Sequence, residues 1–136
     1  MHTVGTFDFE SPEDARAAYE SIGPAAQTVV REVARTMEFD REEYDERVTS
    51  DVVETARDAL FASLLEVTVG SRAEYESWLE STDHDITEVG NENVDNVVWH
   101  AGPDERGVAA TFQDEEDAAV ATLRRQAFGR LYRDVL

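Results

Sequence analysis

The chain contains no cysteine and no lysine. The first absence excludes disulfides, thiolate metal sites and a cysteine nucleophile, and it suits a reducing compartment. The second makes every one of the 12 basic residues an arginine, set against 31 Asp and Glu, for a formal net charge of -19 over 136 residues. No apolar run approaches the roughly 18 residues that a membrane helix requires. The opening MHTVGTFDFE lacks the basic and apolar regions of a secretory signal. Also missing are the Gly-Lys phosphate loop, the dinucleotide fingerprint, the nucleophile elbow and the paired-histidine zinc helix. These absences lead us to expect a cytoplasmic protein with no membrane association and no cofactor, and they lean away from an enzyme.

What is present is enough apolar residue, 41%, to bury a core in one domain spanning residues 1–136. A surface this acidic repels itself in dilute buffer. At about 1 M salt the Debye length falls to roughly 3 Å and most of that repulsion is screened. The lysine-free, acid-rich composition therefore reads as adaptation to a salt-saturated cytoplasm. It also makes nucleic acid an improbable partner, because such proteins carry a basic footprint. A winged-helix arrangement fails on the same ground: its recognition helix would be SRAEYESWLES, whose glutamates repel phosphate.

Helix starts are well marked. Ser11 caps a helix from Pro12 to Ile22, which Gly23–Pro24 should end, and Pro24 opens a second with Ala26, Val29, Val30, Val33 and Met37 at helical spacing. Asp40 with Glu43 predicts a short helix to about Val48, and Asp51 with Glu54 a longer one bearing Val53, Ala56, Leu60, Phe61 and Leu64. Ser71 and Glu74 form a capping box ahead of Tyr75, Trp78 and Leu79. The intervening EVTVG is compatible with a helix end or a short strand. From His84 the texture changes to strands at Ile86–Val89, Val94–Ala101 and Val108–Gln113, followed by a helix from about Glu115 to Arg133 capped by Asp114. The expected fold is α+β: about six helices, a three-stranded antiparallel meander, and the C-terminal helix packed on the sheet.

In VVWHAGPDERGVAATFQ, pairing Gly102 with Gly107 sets Trp99 opposite Ala110 and Val97 opposite Phe112. Side chains alternate along a strand, so Trp99 joins the core under the last helix and His100 points to the other face. A one-residue slip would invert this assignment.

Candidate functional residues follow from position. Asp83-His84-Asp85 surrounds an imidazole with carboxylates, yet nothing in the spacing demands a metal, and in so acidic a chain the plainer reading is a structural histidine. Arg124 falls inside the apolar arc of the last helix (Val120, Leu123, Ala127, Phe128, Leu131, Val135), and Arg57 falls between Phe61 and Leu64 on the Asp51 helix. An arginine there must pair with a carboxylate, snorkel to the edge, or hold an anionic ligand. Arg125, Arg130 and Arg133 share the outward half of the last helix, where basic residues complement the helix dipole or dock an acidic partner. The leading expectation is a non-enzymatic interaction or regulatory module with a protein partner on the C-terminal helix, homo-oligomerisation being open. The alternative is a small anionic-ligand protein or enzyme using Arg57, Arg124 and His100.

The segments SRAEYESW, VVWHAGPDERGVAATFQDE and AVATLRRQAFGRLYRD, on their lysine-free acidic background, resemble a haloarchaeal family of small acidic cytosolic proteins, a domain of unknown function. The resemblance extends over most of the chain. It implies a haloarchaeal cytosolic protein and assigns no activity, cofactor or site residue.

Overall fold

The structure, a computed structural model, describes residues 1–136. It is α+β and divides into two compact units, one of residues 1–16 with 62–136, the other of residues 17–61. In chain order the elements are β1 (His2–Val4), α1 (Pro12–Ser21), α2 (Gly23–Thr36), α3 (Arg41–Arg47), α4 (Ser50–Ser63), β2 (Val67–Ser71), α5 (Arg72–Ser81), β3 (Asp85–Val89), β4 (Asn96–Ala101), β5 (Arg106–Phe112) and α6 (Glu116–Ala127). A π-helical turn, Phe128–Tyr132, continues α6. No helix is long and apolar enough to cross a membrane.

The first unit carries a five-stranded mixed sheet in the order β1-β2-β4-β5-β3, where a three-stranded antiparallel meander was expected. EVTVG resolves as β2, which pairs antiparallel with β4 and recruits the N-terminal β1 on its other side. β3 does not neighbour β4. It crosses to the far side of β5 and pairs with it in parallel. Gly90 makes that crossing close-packed: its φ is +119°, and a Cβ there would fall 2.0 Å from the Thr111 hydroxyl oxygen. That hydroxyl accepts from the Asn91 backbone N–H at 3.1 Å. A side chain at position 90 would push the loop off β5.

The β4–β5 register is one residue away from expectation. Ala101 faces Gly107, Trp99 faces Ala109, and Val98 faces Ala110. The reason lies in the loop. Arg106 N–H reaches Pro103 C=O, Gly102 N–H reaches Arg106 C=O, and Asp104 and Glu105 take positive φ of 60° and 56°. The connection is thereby one residue tighter than a Gly102–Gly107 pairing allows. Trp99 and His100 do lie on opposite faces, as alternation requires. Trp99 shares its face with Val97 and Ala109, and Tyr75 of α5 buries against them with Trp78, Leu79 and Ile86 around it. Ala109, without a bulky side chain, leaves room for the indole. The C-terminal segment was expected on this face. Instead its Tyr132 meets His100 on the other face, so α5 and the C-terminal helix cover opposite sides of β4.

Local signals position the helices. At α5 the Ser71 side chain accepts from Glu74 N–H while the Glu74 carboxylate accepts from Ser71 N–H, the reciprocal capping box. Asp40 caps α3 by accepting from Glu43 N–H. At α4 the cap is Thr49, whose hydroxyl accepts from Val52 N–H, so the helix begins ahead of Asp51. Asp114 does not cap α6, whose first turn has no side-chain cap. The expected apolar arc is buried at Val120, Leu123, Ala127, Phe128 and Leu131.

In the second unit, α2 buries Ala26, Val30 and Ala34, a stripe at four-residue spacing. It ends in a Schellman motif: Glu38 N–H bonds Arg35 C=O and Phe39 N–H bonds Ala34 C=O. The residue in the left-handed position is Glu38, at φ 56°, where glycine is the unstrained choice. Glu38→Gly is expected to raise unfolding free energy by about 1 kcal/mol, measured by denaturant unfolding at fixed salt. Glu38→Ala, which removes the same charge but keeps the strain, should show no such gain; equal effects of the two would contradict this reading.

Candidate functional site

Arg125, Arg130 and Arg133 are all exposed on the C-terminal helical segment, and none has a carboxylate within the 4.0 Å of an ion pair. Arg133 lies over the Phe128 ring at 5.6 Å. Arg106, from the start of β5, donates to the Arg130 carbonyl at 3.1 Å, bringing another guanidinium to the same end.

Arg57, in the second unit, is half-buried without a carboxylate partner. Its Nε donates to the Tyr19 carbonyl at 2.7 Å and its guanidinium lies 4.2 Å from the centre of the Tyr19 ring. The Tyr19 hydroxyl donates to Asp58 at 2.5 Å. Burial and that neighbouring carboxylate push the phenol up to about 12. Arg57 lines a pocket of about 240 Å³ with Tyr19, Gly23, Gln27, Ser50 and Glu54. Gly23 is placed so that a Cβ would lie 3.3 Å from the guanidinium carbon.

Arg124, in the first unit, points along the sheet edge. Its Nε donates to Leu65 C=O at 2.9 Å and Nη2 to Val4 C=O at 3.2 Å. Its positive form is disfavoured by desolvation, which lowers its pKa. Neither arginine is paired with a carboxylate: both donate to backbone carbonyls. The sequence could not reveal this, because carbonyl acceptors have no side-chain signature.

His100 is the one buried polar residue, 1% exposed. Its Nδ1 lies 2.6 Å from the Glu66 carbonyl, which can only accept, so Nδ1 carries the proton. Nε2 then accepts from the Tyr132 hydroxyl at 2.6 Å. Desolvation lowers the pKa of His100 and raises that of Tyr132, so both remain neutral. The pair links β4, the entry to β2 and the C-terminal turn. His84 is similarly engaged, between the Thr82 hydroxyl at 2.9 Å and Gly102 C=O at 3.2 Å, and His2 meets Glu116 at 3.1 Å. No group of three or more His, Asp or Glu side chains is arranged to hold a metal ion.

Arg72, not among the candidates that spacing suggested, makes the shortest ion pair. Nη1 meets Glu88 at 2.7 Å while Nη2 reaches the Asn91 and Val94 carbonyls. It ties the start of α5 to β3 and the crossing loop. Tyr132 was missed too, although its position four residues after the apolar Phe128 was a usable signal.

These arrangements define an α+β protein in which polar groups at buried positions serve the fold. Residues 6–133 match the model of the family of unknown function DUF5809, and the chain belongs to that family. No curated protein and no solved structure matches it.

The His100 geometry has a consequence for pH. The native pKa lies below the unfolded value of about 6.5, so in the window just beneath that value the unfolded chain binds a proton that the native one refuses. Stability contributed by neutral His100 is complete above about pH 6.5 and declines as pH falls, by at most about 1.4 kcal/mol per unit. Comparing urea unfolding of wild type and His100→Gln between pH 7.5 and 5 should show this slope in wild type alone; parallel profiles would contradict it.

Proposed function

We propose that the protein is a non-enzymatic interaction or regulatory module of a haloarchaeal cytosol, and that its partner docks on the C-terminal helix. The observation that carries the reading is the exposed set Arg125, Arg130 and Arg133, unpaired in a chain that holds 31 carboxylates. Arginine forks suit carboxylate recognition. An acidic segment of a partner protein supplies the complement, and its apolar neighbours would carry the affinity where salt weakens the charges. The family resemblance and the lysine-free acidic surface support the haloarchaeal setting.

The competing reading, an anionic-ligand site or enzyme built on Arg57 and Arg124, has less support. Arg57 has an adjoining pocket, but its Nε and guanidinium face are already taken up by Tyr19. Arg124 is taken up by two carbonyls.

The test is affinity capture from a native lysate kept at molar KCl. Arg125→Glu/Arg130→Glu/Arg133→Glu should lose partners that the wild type retains, with an unchanged circular dichroism spectrum. An identical partner list from the folded variant would overturn the proposal.

A further inference from the structure

The second unit exposes an apolar strip that its own packing leaves uncovered. Of the seven large hydrophobic residues exposed in the chain, four cluster here: Val29 at 49%, Val33 at 53%, Met37 at 57% and Val52 at 43%. Scattered apolar residues are ordinary, whereas a contiguous set marks a contact surface. With Phe39 and Val48 they line a groove of about 320 Å³. No carboxylate lines it, and its one charged side chain is Arg47, lying 5.4 Å over the Phe39 ring.

The charge pattern of α2 is equally unusual. Between Glu20 and Glu38 there is one carboxylate, Glu32, with Arg31 and Arg35 beside it. α2 therefore bears two apolar stripes. Ala26, Val30 and Ala34 are buried, while Val29, Val33 and Met37, again at four-residue spacing, face out. At about 100° per residue, Glu32 sits on the rim of the outward stripe, on the side away from the buried one. It is largely exposed and meets only Arg35, at 3.4 Å.

We infer that a second copy of this chain covers the groove, through antiparallel contact of α2 with its equivalent. A two-fold contact is self-complementary, so one surface must supply both halves. This surface does: the stripe offers an apolar ridge and one carboxylate, and the groove offers an apolar floor and one guanidinium. A ridge seated in the partner copy's groove turns Glu32 towards the wall that carries Arg47, and the two-fold makes that pair twice. The groove itself is lined by no carboxylate, so two chains of net charge -19 can meet there without burying one in its floor. The inference is independent of the C-terminal docking face.

Sedimentation equilibrium of the full chain over a range of KCl concentrations tests it. The wild type should be a dimer that tightens with salt. Val33→Glu, still helical by circular dichroism, should weaken it at least about tenfold. At the lowest salt that keeps the chain folded, Glu32→Arg and Arg47→Glu should each weaken the dimer and the double variant should recover it. A wild type that stays monomeric at submillimolar concentration would overturn the inference, even if some other protein binds the groove. So would a dimer insensitive to Val33→Glu, or a double variant that adds the two losses.

Discussion

Thirty-one carboxylates against twelve guanidiniums is the constraint to which the rest of the structure answers. Ion pairs could neutralise only a minority of those charges, and screening weakens exposed pairs further. The arginines serve another purpose. Arg57 donates to Tyr19 C=O, Arg124 to Leu65 and Val4, Arg72 to Asn91 and Val94, Arg16 to Val135, and Arg106 to Arg130. A hydrogen bond to a neutral carbonyl acts at contact range, so salt screens it far less than a separated pair. The guanidinium, with five donors in a fixed fork, suits this stapling better than an ammonium. Lysine could not supply it as well, which gives the absence of lysine a structural side.

Inside, charge is replaced by neutral polarity. The His100–Tyr132 pair joins the central strand to the C-terminal turn without placing an ion in the sheet's covering layer. On the opposite face Trp99, Tyr75 and Trp78 pack with ring centres 5.1 to 6.2 Å apart. Both faces of β4 are thereby buried, which is why Val97, Val98, Trp99 and His100 are all inaccessible in sequence. Alternation of apolar and polar residues, the usual sign of a strand covered on one side, is absent there for that reason.

Legibility of the sequence followed the range of the interaction. The Ser71 box and the Asp40 cap involve residues three apart and were readable as they stand. The separation of Trp99 from His100 needed only strand alternation. The register was not readable, because it hangs on the φ of Asp104 and Glu105, which their side chains do not announce. β1 and the parallel pairing of β3 depend on partners more than 15 residues away in sequence, and EVTVG alone could not decide between helix and strand. Among candidate site residues, the outward set Arg125, Arg130 and Arg133 was legible from helical spacing. The acceptors of Arg57 and Arg124 were not. The two stripes of α2 were read as one apolar series, since spacing cannot say which of two adjacent stripes is covered.

If charge repulsion is what the architecture must withstand, stability should depend on ionic strength more than on any single contact. The direct measurement is the melting temperature followed by circular dichroism from dilute buffer to 3 M KCl, about the range over which the Debye length contracts to a few Å or less. A steep rise that begins well below molar salt and continues through it is expected. A melting temperature that stays flat across that range would contradict it.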